Sequence, residues 1–109
     1  MEQKINVLGT EYTIYLQSED ARLADCDGFC DKTTKEIHIG KFPDDCELGQ
    51  PEVYEKKILR HELVHAFMFE SGLAEGWGHQ DYGQEELTVD WFAYMAPKLF
   101  DAFKAADCI

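Results

Sequence analysis

The chain has 109 residues, 45% of them hydrophobic and 29% charged, which fits one globular domain (residues 1–109) and excludes a disordered chain. Its formal charge of −12, from 22 acidic and 10 basic residues, argues against binding to nucleic acid and suits a divalent cation, although solubility accounts for most of this acidity. No segment is apolar for long enough to span a membrane, and residues 1–10 lack the apolar segment of a secretory signal. A cytoplasmic location is therefore expected.

The first segment has the pattern of a β-hairpin. Residues 4–8 (KINVL) and 11–16 (EYTIYL) alternate between β-branched or aromatic side chains and polar ones. The intervening residues 9–10 predict a tight turn with glycine in its first position. The polar residues 18–28 that follow predict a loop or a single helical turn.

A second hairpin is predicted over residues 28–40 (GFCDKTTKEIHIG). Its turn is expected at residues 32–35, and its return strand at residues 36–40. Residues 41–50 are rich in turn-forming residues and predict a loop before the pattern changes to a helical one.

Residues 51–71 predict a helix of about five or six turns. Pro51 suits the first helical turn, and the acidic Glu52 and Glu55 follow it, where the helix dipole favours negative charge. Gly72 offers a left-handed stop at the other end. The glycine-rich residues 72–84 predict a loop.

A second helix is predicted from residue 84 or 85 towards the C-terminus. Pro97 is expected to kink or break it near residues 93–96, because proline has no N–H group and crowds the preceding turn. Trp77, Trp91, Phe92 and Phe100 are expected to pack in the core or against loops. The apolar side chains that recur every three or four residues along this helix are Leu87, Trp91, Tyr94, Met95 and Leu99.

These elements predict an α+β domain, in which a small antiparallel sheet of two hairpins packs on two main helices. The four cysteines, Cys26, Cys30, Cys46 and Cys108, have no CxxC spacing, so neither a zinc ribbon nor a thioredoxin-like motif is indicated. Reduced thiols are expected in the cytoplasm. A disulfide between Cys26 and Cys30 or Cys46 is the alternative in an exported protein.

The first helix carries the sequence HELVH at residues 61–65 inside an otherwise apolar stretch. His61 and His65 are four residues apart and therefore lie on one helix face, where both can bind a single zinc ion. Glu62 projects beside them and can accept a proton from a water activated by zinc. This is the H-E-x-x-H arrangement of metallopeptidases. The alternative is a pair of histidines with ordinary structural roles on an amphipathic helix.

A catalytic zinc needs a third protein ligand. Glu86 is preferred because Glu86 and Asp90 lie four apart on the second helix, so that Glu86 can bind zinc while Asp90 accepts the N–H of a ligand histidine. His79 is the alternative third ligand.

HExxH on one helix followed by ExxxD on the next resembles the gluzincin metallopeptidases. The short chain, the strand KEIHIG and the segment EELTVDWFA are similar to the ImmA/IrrE type, minimal zinc peptidases common in phages and mobile elements. The resemblance covers about residues 28 to 97. It implies a zincin-like core with one zinc per chain, His61, His65 and Glu86 as ligands, Glu62 as general base and Asp90 as supporting acid. The chain departs from regulatory members because it has no recognisable DNA-binding or sensor domain.

The resemblance also implies hydrolysis of a peptide or protein substrate by a zinc-activated water. Tyr82 and His79 are candidates for stabilising the oxyanion, although both also suit ordinary loop positions. The substrate is expected to add as a strand along residues 36–40, with His38 as a further contact.

Two other functions suit the same sequence. One is a zinc-stabilised interaction module without catalysis, although a purely structural site does not need Glu62. The other is an acidic decoy that imitates nucleic acid for a basic partner, and its binding would weaken steeply with salt.

Overall fold

The computed structural model describes residues 2–43, 46–74 and 82–109, and for residues 82–85 it describes the backbone only. The chain is an α+β protein, in which a four-stranded sheet packs against one helix and that helix packs against a second. The zincin-like core implied by the resemblance stays a prediction. In the described part of the chain, no helix has the length and apolar character needed to cross a membrane.

The sheet is mixed, and the purely antiparallel sheet predicted from the two hairpins is wrong. Both hairpins form, but the strand order is β1-β2-β4-β3, and the two hairpins meet through a parallel pairing of β2 with β4. Strand β4 therefore lies inside the sheet, whereas β3 lies at an edge. The strands are β1 (Glu2–Val7), β2 (Thr10–Ser18), β3 (Gly28–Asp31) and β4 (Glu36–Gly40).

The first hairpin turns one residue earlier than predicted. Val7 pairs with Thr10, so the turn residues are Leu8 and Gly9, and glycine takes the second position. Both have positive φ, 52° and 92°, as in the type I′ turn that matches the twist of the strands. The side-chain oxygen of Asn6 accepts the N–H of Gly9 at 2.8 Å and supports the turn.

Short local interactions shape the rest of the N-terminal half. Residues Ala21–Asp25 form one 3-10 turn, as predicted for this polar segment, and the carboxylate of Asp20 accepts the N–H of Arg22. The turn between β3 and β4 lies at residues 32–35, also as predicted. There the carboxylate of Asp31 accepts hydrogen bonds from the N–H and hydroxyl of Thr33.

The core lies between one face of the sheet and helix α1 (Pro51–Ser71). Alternate residues of β2 and β4 point into it because successive side chains of a strand face opposite sides. The buried members of this core are Val7, Tyr12, Ile14, Ile37 and Ile39 of the sheet, with Ile58 and Ala66 of α1.

Helix α1 has the bounds predicted from its terminal residues. Pro51 lies in the first turn, where its missing N–H has no helical partner to lose. Gly72 takes the left-handed conformation at the other end, with φ of 83°, and its N–H bonds to the carbonyl of Phe69. The start and stop signals of this helix are local, and they are sufficient to define it.

Helix α2 (Tyr82–Ala105) starts two or three residues earlier than predicted and continues past Pro97. Of the two outcomes expected near residues 93–96, the break is therefore wrong, and the kink stays a prediction. Proline at position 97 leaves the carbonyl of Ala93 without its helical donor. Arg60 of α1 replaces that donor, because its Nε donates to this carbonyl at 2.6 Å. The helix therefore tolerates the proline through a contact with α1.

Three of the five residues in the apolar stripe predicted on α2 are exposed, whereas Met95 and Leu99 are half-buried. Leu87 and Tyr94 are 74% and 66% exposed, and Trp91, Phe92 and Phe100 are exposed as well, contrary to the expected core packing. Trp77, of which the same packing was expected, lies outside the described residues. The buried face consists of the smaller residues Val89, Ala93 and Ala96. Small side chains on this face let α2 approach α1 closely, and that approach positions the candidate site.

Candidate metal centre

Two histidines of α1 direct their Nε2 atoms towards each other. His61 and His65 are separated by one helical turn, and their Nε2 atoms lie 3.2 Å apart. Both side chains are largely buried, at 16% and 13% exposure. Ala66 and Ile58, on the neighbouring face of α1, pack into the core and fix the rotation of the helix that places the histidines beside α2.

Glu86 of α2 supplies a carboxylate to the same space. Its Oε1 lies 2.6 Å from Nε2 of His65, and its Oε2 lies 3.6 Å from Nε2 of His61. One potential ligand atom from each of these three residues lies within 4.8 Å of the others. The group is therefore close enough to bind a metal ion, and the spacing argument that chose Glu86 agrees with this geometry.

The separations suit a tetrahedral ion. Two ligands at about 2.1 Å from zinc and at the tetrahedral angle lie about 3.4 Å apart. The distance of 3.2 Å between the histidine nitrogens and that of 3.6 Å from His61 to Glu86 are close to this value. The third separation, 2.6 Å, joins His65 to the other carboxylate oxygen of Glu86, Oε1 rather than Oε2. It is a hydrogen-bond distance, and it would have to lengthen by under 1 Å for Oε1 to share an ion with His65. Two imidazoles and one carboxylate are also a donor set found in catalytic zinc sites.

Asp90 lies behind His61, as predicted. Its Oδ1 is 3.2 Å from Nδ1 of His61, so Nδ1–H can donate to the carboxylate while Nε2 faces His65 and Glu86. Lys57 of α1 donates to the same Oδ1 atom. The hydrogen bond from Lys57 is the main reason why the pKa of Asp90 is lowered, and the carboxylate is therefore ionised at neutral pH.

Sequence reasoning missed Lys57, although its position contains a usable signal. It precedes His61 by four residues and therefore shares the face that carries both histidines. A cation on that face, opposite a helix with two acidic residues four apart, is a candidate partner for one of them.

Glu62 is a buried glutamate, only 7% exposed, next to the histidines. Burial, with a smaller contribution from the negative charge of Glu86, raises the pKa of Glu62 to about 7. A carboxyl group with this pKa can accept and release a proton near neutral pH.

A cleft of about 220 Å³ opens between α1, α2 and the start of β3, and Glu62, His61 and Glu86 line it. Gly28 of β3 forms part of its wall. A Cβ atom at Gly28 would lie 2.9 Å from Ile58, too close for a side chain, so glycine allows the edge strand to pass close to α1.

The structure does not bring His38 to this cleft. Its ring lies on the other face of the sheet, stacked between Tyr15 at 4.6 Å and Phe29 at 4.8 Å. Its nitrogens lie 2.7 Å from the hydroxyl of Ser18 and 2.9 Å from the carboxylate of Glu36. The sequence allowed this outcome, since His38 alternates with the two core isoleucines of β4.

Two other candidates fall outside what the structure describes. His79, the alternative ligand, lies outside the described residues, and so does the side chain of Tyr82, whose backbone begins α2. All four cysteines are free thiols. Among them, Cys30 lies on β3 near Glu62, and burial, followed by the charge of Glu62, raises its pKa to about 12.

Comparisons with protein families, with curated proteins and with solved structures find nothing that matches the chain. The resemblance to ImmA/IrrE-type gluzincins therefore stays a prediction based on the motif residues of the two helices.

Proposed function

We propose that the chain is a zinc-dependent metallopeptidase. The observation that supports this best is the convergence of His61, His65 and Glu86 beside the buried carboxyl group of Glu62. A structural zinc site needs no such group, because it usually closes with a fourth protein ligand. The HExxH and ExxxD spacings and their resemblance to gluzincins support the same proposal.

Zinc is the metal we propose for the site. Two imidazoles with one carboxylate suit zinc better than calcium or magnesium, which prefer oxygen ligands. When bound, zinc acts as a Lewis acid towards water and the peptide carbonyl. Asp90 holds His61 in the tautomer whose Nε2 can bind the ion.

Glu62 is the proposed general base and acid. It accepts the proton of the attacking water and then delivers it to the amine that leaves the cleaved peptide bond. Its place in the same cleft as His61 and Glu86 supports this role.

An extended peptide substrate can pair only with a strand at an edge of the sheet. Residues 36–40, where it was expected, form an interior strand with neighbours on both sides, so that expectation is wrong. Strand β3 is the edge that borders the cleft through Gly28. We propose that an extended peptide adds along β3, where main-chain hydrogen bonds can hold it beside Glu62.

The replacement Glu62→Gln tests catalysis separately from metal binding. We expect the variant to keep its zinc and to lose at least about a hundredfold in the rate of peptide hydrolysis, since a positioned base contributes about 10²–10⁴. The measurement is cleavage of denatured casein, with zinc content determined on the same samples. Glu52→Gln, on the exposed first turn of the same helix, is the matched control and should cleave at the wild-type rate.

The exposed apolar side chains Leu87, Trp91 and Tyr94 support a second candidate, a zinc-stabilised module that binds a protein partner without cleaving it. Both candidates predict zinc in the wild type and in Glu62→Gln. Only the peptidase predicts casein cleavage that Glu62→Gln abolishes. Two results would contradict the peptidase and leave the binding module. In the first, the zinc-loaded wild type does not cleave casein. In the second, the wild type and Glu62→Gln cleave casein at the same rate.

A further inference from the structure

Lys57 lies in line with the two candidate zinc ligands of α1. Lys57, His61 and His65 follow one another at four-residue spacing and therefore share one face of the helix. The two helices run in opposite directions at this contact, so the first residue, Lys57, contacts the later acid, Asp90. The last residue, His65, contacts the earlier acid, Glu86. His61, between them, lies near both acids. Lys57 is thus the first of three residues of α1 whose side chains contact the acidic residues of α2.

A single oxygen atom of Asp90 connects the lysine with the histidine. Oδ1 accepts from Nζ of Lys57 and lies 3.2 Å from Nδ1 of His61. Half of the Asp90 side chain is exposed, so packing alone does not hold its carboxylate, whereas the Lys57 side chain is only 22% exposed. A more buried cation therefore contacts the half-exposed carboxylate behind His61.

The position of that oxygen decides which ring nitrogen of His61 carries a hydrogen. With Oδ1 in place, Nδ1–H donates to Asp90 and the lone pair of Nε2 points towards His65 and Glu86. If the carboxylate turned away into solvent, His61 would lose the partner that selects this tautomer. Partners of this kind typically change metal affinity by about 10- to 100-fold when they are removed.

We propose that Lys57 is a positioning residue of the metal centre, which acts through Asp90 to hold His61 in its metal-binding tautomer. This inference rests on the metal site of the proposed function. It does not rest on catalysis, because it concerns metal affinity and the state of His61 only.

Zinc affinity provides the first test, measured by competition with a chromophoric chelator. We expect Lys57→Met, which keeps the length of the side chain but lacks the charge, to bind zinc about three- to tenfold more weakly, less than for loss of a direct partner. Lys57→Arg should stay within about twofold of the wild type, because it can still donate to Oδ1. Lys56→Met removes the same charge from the adjacent exposed position, and its zinc affinity should also stay within about twofold of the wild type.

A double replacement shows whether the lysine acts through Asp90. In the background of Asp90→Asn, Lys57→Met should weaken zinc binding by less than about twofold, since the connection is already broken. An equal loss in both backgrounds, or a loss no greater than that of Lys56→Met, would overturn the proposal.

The tautomer of His61 gives a readout that does not depend on zinc. In the metal-free protein, ¹⁵N chemical shifts of the ring should show hydrogen on Nδ1 in the wild type and in Lys57→Arg, and a mixture of tautomers in Lys57→Met. An unchanged tautomer in Lys57→Met would also overturn the proposal. Because both readouts are independent of hydrolysis, a protein that binds zinc but cleaves nothing would refute the peptidase and leave this inference standing.

Discussion

Arg60 shows how one side chain can compensate for an unfavourable residue on a neighbouring helix. Pro97 deprives the Ala93 carbonyl of its helical donor, and Nε of Arg60 donates to that carbonyl at 2.6 Å. A carbonyl without a donor in the contact between helices carries a free-energy cost. We infer that the arginine removes most of this cost.

Replacing Arg60 should therefore destabilise the fold only as long as the proline is present. We expect Arg60→Met to lower the free energy of unfolding by about 1–2 kcal/mol, and by less than half as much in the background of Pro97→Ala, which restores the missing N–H. Urea unfolding of the four proteins measures this coupling. An equal cost in both backgrounds would show that the arginine acts in some other way.

At the scale of the elements, Glu70 joins the end of α1 to the sheet. Its Oε2 accepts a hydrogen bond from Nζ of Lys35 at 2.8 Å and from the hydroxyl of the buried Tyr12 at 2.7 Å. The hydrogen bond from Lys35 contributes most, and with those from Tyr12 and Thr10 it lowers the pKa of Glu70 from its ordinary 4.5 to about 2. Since the folded pKa is the lower one, the ionised carboxylate stabilises the fold above pH 4.5, and this stabilisation is lost as the pH falls through 2.

The replacement Glu70→Gln tests this link. At pH 7 the variant should unfold at a lower urea concentration than the wild type, because it has lost the charged acceptor. The gap between the two midpoints should narrow as the pH falls from about 4.5 towards about 2. Glu52→Gln, whose glutamate is exposed on the first turn of α1, is the control and should show no such gap. A gap that stays constant down to pH 2 would contradict the assignment.

How far the elements could be predicted depends on whether their signals are local. Pro51 and Gly72 define α1 because a helix start and stop act through neighbouring backbone groups. The two hairpins were also predicted, since each pairs adjacent strands. The parallel pairing of β2 with β4 could not be predicted, because it joins strands of different hairpins and depends on how α1 covers both.

The orientation of α2 illustrates a second limit. Its sequence contains two stripes at helical spacing, the large residues that include Leu87 and Trp91 and the smaller set of Val89, Ala93 and Ala96. Hydrophobicity favoured the large residues, but the structure buries the small ones. Small side chains allow the close approach that brings Glu86 within 2.6 Å of His65, so the geometry of the site and the burial of α2 have one cause.

For the molecule as a whole, the three candidate ligands could be predicted from the sequence, whereas the contact of Lys57 with Asp90 could not. Histidine spacing on one helix and acid spacing on the next sufficed to choose His61, His65 and Glu86, because each pattern needs only the period of a helix. Lys57 was missed because its role depends on which face of α2 meets α1. The net charge of −12 belongs to this scale too, since it favours the approach of cations, divalent metal ions included.

The most direct test of the central claim is the zinc content of the chain after equilibration with zinc and gel filtration, measured by elemental mass spectrometry. We expect one zinc ion per chain in the wild type and in Glu52→Ala, and much less than one in Glu86→Ala, because three protein ligands are needed to hold a catalytic zinc. A folded wild-type chain without zinc, or a Glu86→Ala variant that retains as much as the wild type, would contradict the metal centre described above.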